Sequence, residues 1–131
     1  MAITDAWPLQ EAVYSAVSNA VFSEDILVVD HVLHDPPMEH VRIEGMEYAD
    51  QSPKNAERGR HSFMISYYLR PGGEATTYVG LQRVWLILGM IHNAVKEVTV
   101  NNHKPRQRYM EATSDNDGHT QHGMIRYTID L

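Results

Sequence analysis

Apolar side chains recur every three or four positions through the first stretch of the chain: Leu9, Val13, Ala16, Val17, Ala20 and Val21. That period puts them on one stripe of an α-helix, predicted over residues 4–21. Thr4 or Asp5 is the expected N-cap, and Pro8 falls in the first turn, where its missing N–H costs nothing. Trp7, at the helix entry, is expected to pack over a sheet edge. Ser23-Glu24-Asp25 breaks the helix, and residues 26–30 form a short β-rich run. His34-Asp35-Pro36-Pro37 then forces an extended or turning connection, because proline disfavours helix in the residue before it. Val41 and Ile43 alternate with Arg42 and Glu44, a strand with one wet face, and Gly45 predicts a bulge or bend in it.

Residues 49–60 carry no periodic apolar signal and read as a long, mobile loop of the kind that is usually functional or disordered. Phe63, Ile65, Tyr67 and Leu69 then alternate with Ser62, Met64, Ser66 and Tyr68, a strand that Pro71-Gly72-Gly73 ends. A second helix is predicted over residues 76–97, with Leu81, Val84, Trp85, Leu88, Ile91 and Val95 on its buried side. Leu86, Ile87 and Met90 widen its apolar coverage, which suggests deep burial or a second contact face such as a subunit interface. A hairpin closes the chain: one arm over 106–113, a turn at Ser114-Asp115-Asn116-Asp117-Gly118, and a second arm over 124–131. In that last arm Ile125, Tyr127, Ile129 and Leu131 face in while Arg126, Thr128 and Asp130 face out. The order α-β-β-β-α-β-β, with no β-α-β alternation, predicts one α+β domain over residues 1–131. Its mostly antiparallel sheet of about four to five strands packs against two amphipathic helices. There is no internal repeat and no low-complexity tract.

A length of 131 residues fits one domain, and 43% hydrophobic content is enough for a core. Cysteine is absent, which excludes disulfides, thiolate catalysis and cysteine-ligated zinc. The greasiest run, residues 84–91, falls far short of the roughly 20 apolar residues a bilayer demands. Residues 1–8 lack a basic region followed by an apolar stretch, so synthesis and retention in a cytoplasm, with no membrane partner, is the expectation. The net charge of −6 disfavours general nucleic-acid binding, since phosphate affinity comes mostly from Lys and Arg.

The distribution of charge says more than its sum. Residues 1–50 contain Asp5, Glu11, Glu24, Asp25, Asp30, Asp35, Glu39, Glu44, Glu47 and Asp50 against Arg42 alone. Residues 51–108 reverse this, with Lys54, Arg58, Arg60, Arg70, Arg83, Lys96, Lys104, Arg106 and Arg108 against Glu57, Glu74 and Glu97. Such a pattern fits either a surface whose signs interleave on folding, or a molecule with unlike faces that pairs head-to-tail with copies of itself.

Candidate chemistry is thin. His31, His34, Asp35 and His40 approximate a metal set, but the Pro-bordered stretch does not align them and no clear further ligand follows. His119 and His122 flank a predicted turn and read as polar loop residues. Asp115-Asn116-Asp117-Gly118 resembles half a calcium loop, yet strands flank it, and Asn, Asp and Gly there make a hairpin turn. Glu39, Glu44 and Glu47 could pair as carboxylates, but on a solvated strand face they read as charge. GxxxxGK[ST], GxGxxG and GxSxG do not occur. No catalytic residue, metal or cofactor is therefore expected.

Taken in order, several segments resemble the tail-completion, or tail-terminator, family of long-tailed phages and gene transfer agents, with its lambda-like terminator fold. They are Leu9-Gln10-Glu11-Ala12-Val13-Tyr14-Ser15-Ala16-Val17, Val28-Val29-Asp30-His31-Val32, Asp35-Pro36-Pro37 and Val41-Arg42-Ile43-Glu44-Gly45. Glu57-Arg58-Gly59-Arg60-His61-Ser62-Phe63, Leu69-Arg70-Pro71-Gly72-Gly73 and the closing His122-Gly123-Met124-Ile125-Arg126-Tyr127 follow. The resemblance implies a non-enzymatic virion protein, made in the host cytoplasm, that forms a hexameric ring at the head-proximal end of the tail tube. Its implied partners are its own copies, the tail tube protein and the head–tail connector, with DNA passing through the lumen without specific binding. Glu39, Glu44, Glu47, Lys54, Arg58, Arg60 and Arg70 are the charged candidates for subunit or partner contacts. Two other readings remain open: a small-molecule-binding α+β module with residues 49–60 as a lid, and a metal-dependent enzyme using the histidines.

Overall fold

The computed structural model describes residues 5–35, 37–50, 59–70, 81–114 and 120–131. Helix α1 spans Ala6–Val21 and fully buries Leu9, Val13, Val17 and Val21, the stripe that the spacing predicts. The expected Asp5 cap does not form. Its backbone is already helical, at φ −82° and ψ −7°, and its side chain makes no capping bond, while Thr4 lies outside the described residues. Trp7 does not pack down at the helix entry; it stays 61% exposed. A 3₁₀ turn, Phe22–Glu24, ends at Asp25 in the left-handed conformation and leads into strand β1, Leu27–Val29.

Strands β2, Glu39–Asp50, and β3, Gly59–Leu69, form the longest ladder. Gly45 sits at φ 66° where the register slips between Glu44 and Glu47, so the bulge expected there is present. Beyond it pairing resumes, with Tyr48 opposite His61, Ala49 opposite Arg60 and Asp50 opposite Gly59. Both ends of the predicted 49–60 loop are therefore strand, and residues 51–58 lie outside the description. The sequence hides this because an aromatic ring, rather than apolar alternation, covers the extension. A Cβ on Gly59 would fall 2.0 Å from the Tyr48 ring, so only glycine admits that ring.

Helix α2, Gln82–Val95, buries Val84, Ile87, Leu88, Ile91 and Val95 completely. Trp85, expected inside, is 48% exposed, and Leu86 is 54% exposed. Each residue turns the helix by about 100°, so the positions just after Val84 rotate off the stripe. The predicted start of this helix, residues 76–80, lies outside the described residues, as do Pro71, Gly72 and Gly73. After α2, Val100 and His103 exchange backbone bonds of 2.9 Å around Asn101-Asn102, both at positive φ. Asparagine tolerates that conformation, which makes this a two-residue turn. Strands β4, Arg106–Ser114, and β5, Gln121–Asp130, complete the sheet, and the predicted turn at 115–118 is not among the described residues.

The strand order is β1-β2-β3-β5-β4, with β1 parallel to β2 and every other pair antiparallel. The architecture is α+β. Val41 and Ile43, Phe63, Ile65 and Tyr67, and Ile125, Tyr127 and Ile129 share one sheet face and join both helical stripes in a single core. Within it Tyr127 donates to or accepts from His92 Nδ1 at 2.9 Å, and burial pushes its phenol pKa well up.

Helix α2 approaches β5 closely at Gly123, where an added Cβ would lie 2.7 Å from Val84 Cγ1 and 2.9 Å from Leu88 Cδ1. Gly123→Ala is therefore expected to cost about 1–3 kcal/mol through overpacking. Urea denaturation checks this: an unchanged midpoint would mean that α2 does not rest on this strand.

Candidate assembly surfaces

The charged residues singled out from sequence that are described, Glu39, Glu44, Glu47, Arg60 and Arg70, do not gather into one patch. Glu39 lies on the helix side of the sheet and is fully engaged. Arg83 Nε and Nη2 donate to its two oxygens at 2.7 and 3.1 Å, and Tyr67 donates its hydroxyl to Oε2. Arg83 Nη1 also reaches Glu24 Oε1 at 3.2 Å, so one guanidinium ties the start of α2 to β2 and to the 3₁₀ turn. Burial alone would raise the Glu39 carboxyl, but the bonds from Arg83 and Tyr67 outweigh it and hold the pKa below its ordinary value. Burial and the neighbouring carboxylate raise the Tyr67 phenol.

Glu44 lies on the opposite sheet face, bound by Arg42 and by the Ser66 hydroxyl at 2.7 Å. Arg60 forks onto Asp130 at 2.8 and 3.3 Å. Glu47 is exposed beyond the bulge, and Arg70 is exposed just past β3. Lys54 and Arg58 lie outside the described residues.

Sequence reading missed a ladder on the face away from the helices. His40, Tyr68 and His122 are in register across β2, β3 and β5 and stack ring on ring, with centroids 4.9 and 4.6 Å apart. The Arg42 guanidinium sits 5.4 Å above the Tyr68 ring. His40 Nδ1 and His122 Nε2 are buried without a hydrogen-bond partner. Beside His40 opens a groove of about 440 Å³, lined by Val32, Leu33, Met38, Arg42 and Arg70 among others. The available signal was that all three aromatic positions fall on the outward parity of their strands.

The strand order also separates the two signs of charge. At one end of the sheet, the groove between α1 and β1 encloses about 510 Å³ and is lined by Trp7, Glu11, Tyr14, Leu27 and Asp30 among others. At the other end, β4 exposes Arg106, Gln107, Arg108 and Tyr109 in succession. Neither Arg106 nor Arg108 makes an ion pair among the described residues; Arg108 donates instead to the Thr128 hydroxyl at 2.7 Å. Nor does Glu11, while Asp30 is held by Gln10 and His31 at 3.1 Å each.

Among the described residues no three His, Asp or Glu side chains gather as a metal site, His31, His34, Asp35 and His40 included. No described helix is long and apolar enough to cross a membrane.

No protein-family model matches the chain, and no curated protein matches it by sequence. In structure it is similar to a chain of the "Virion of native gene transfer agent (GTA) particle". The TM-score is 0.64 at 18% identity, covering 93% of this chain and 94% of that one. The fold is shared. Because both chains are covered almost end to end, the likeness extends over the whole α+β arrangement rather than one motif.

His40 is expected to make stability depend on pH. Burial lowers the His40 pKa below its ordinary 6.5 and the Arg42 charge lowers it further, with the nearby Pro37 backbone offsetting this only in part. Below pH 6.5 the unfolded chain thus takes up a proton that the folded chain resists. The contribution of neutral His40 is complete above that value and is lost as pH falls through it towards the folded pKa. The melting temperature should fall between about pH 7 and pH 5.5, and His40→Gln should flatten that fall. An equally steep fall in the variant would assign the sensitivity to other groups.

Proposed function

We propose that this chain is a structural virion protein of a long-tailed phage or gene transfer agent. Six copies form a ring at the head-proximal end of the tail tube, stop tube polymerisation and present the surface on which the head connector docks. The observation that carries this reading is the fold likeness, across almost the full length of both chains, to a component of a gene transfer agent virion. The ordered segments from Leu9 to Tyr127 that resemble the terminator family support it independently.

The surfaces are consistent with assembly. A ring built head-to-tail needs two unlike contact regions on each subunit. The acidic α1/β1 end and the basic β4 end lie at opposite ends of one sheet. Half-exposed Trp85 and Leu86 on α2 add apolar surface of the kind that contacts partners. A ring with net charge −6 per copy would also pass DNA without holding it.

Light scattering coupled to size exclusion tests the reading. The expected species has six times the 15.0 kDa chain mass, alone at high concentration or with the tube protein present. A protein that stays monomeric under both conditions contradicts it.

A further inference from the structure

We infer that neighbouring copies join by edge-to-edge strand addition: β4 of one copy lies beside β1 of the next, with Arg106 and Arg108 against Glu11 and Asp30. The inference rests on the ring reading and specifies its contact. Among the described residues each of these strands has one sheet neighbour, β2 for β1 and β5 for β4. Outside the ladders, no backbone hydrogen bond among the described residues involves either strand. Among those residues each presents an outer row of N–H and C=O groups, the template for another strand.

Charge selects which edges meet. Two β4 edges brought together would oppose Arg106 and Arg108 to their own copies, and two β1 edges would do the same with Glu11 and Asp30. Mixed pairing sets Arg106 and Arg108 against Glu11 and Asp30. Because those edges lie at opposite ends of one sheet, mixed pairing is heterologous and propagates from copy to copy. Apolar surface backs the charges: Trp7, Tyr14 and Leu27 are exposed around the acidic groove, and Tyr109 is exposed on β4. Backbone bonds would supply general affinity, and the arginine–carboxylate contacts would fix partner and direction. The competing role for Arg106, Arg108 and the bulge between Gln107 and Tyr109 is to blunt the edge and keep it unpaired.

Two charge-reversed proteins separate these roles. One carries Arg106→Glu and Arg108→Glu, the other Glu11→Arg and Asp30→Arg; all four positions are at or near the surface, and matching melting curves confirm folding. Each variant alone should need at least ~10-fold higher concentration to assemble, because like charges then face each other. Mixed in equal amounts, they should assemble again at parental concentrations, since an even ring of alternating copies restores every contact. A parent that forms rings while the mixture stays dissociated, or variants that assemble as well as the parent, would overturn edge pairing and leave the ring itself intact. Variants that assemble better than the parent would establish the blunting role. A parent that never assembles would overturn both.

Discussion

Among the described residues, the fold depends on five strands being sealed on one face by two α-helices. Each strand that reaches the core spends alternate residues on it, and Leu9, Val13, Val17 and Val21 of α1 meet Val84, Ile87, Leu88, Ile91 and Val95 of α2 over them. The other face carries polar and aromatic side chains with Met64 and Met124, and among the described residues β1 and β4 each pair on one side. Polar bonds sharpen this frame without creating it. Arg83, caught between Glu39 and Glu24, fixes where α2 begins relative to β2, and Gly123 allows the same helix to sit directly on β5.

That arrangement accounts for the odd charge distribution. The acidic first third of the chain builds α1, β1 and β2, at one end of the sheet. Arg106 and Arg108 fall on the last strand in the spatial order rather than the last in sequence, because β5 inserts between β3 and β4. Some charges do interleave on folding, as Arg60 with Asp130 and Arg83 with Glu39 show. At the two edges, Arg106, Arg108 and Glu11 form no ion pair among the described residues, although Arg106 and Arg108 lie near enough to Asp130 to help lower its pKa. The two ends of the sheet are thus unlike, which is what the proposed head-to-tail ring requires.

Much of the fold was legible because its period is clean. The stripe from Leu9 to Val21, the alternation from Phe63 to Tyr67 and the one from Ile125 to Ile129 all lie where the sequence pattern puts them. The misses have physical causes. Trp85 is large and apolar, but helix geometry turns it away from the core. Ala49, Asp50, Gly59 and Arg60 have no apolar period, yet pair through backbone bonds beneath the Tyr48 ring. Of the candidate contact residues, Glu39 proved to be an internal anchor, a role set by α2 across the fold and not by its neighbours in sequence. The His40–Tyr68–His122 stack was likewise invisible, since it depends on the register of three strands separated along the chain.

The central claim is that this domain acts by closing a ring on the end of a tube. Electron microscopy of polymerising tail tubes with the protein added is the most direct measurement. A sixfold-symmetric cap at one end of each tube, with no growth beyond it, is the expected result. Tubes that continue to lengthen, with both ends bare in the presence of folded protein, would contradict it.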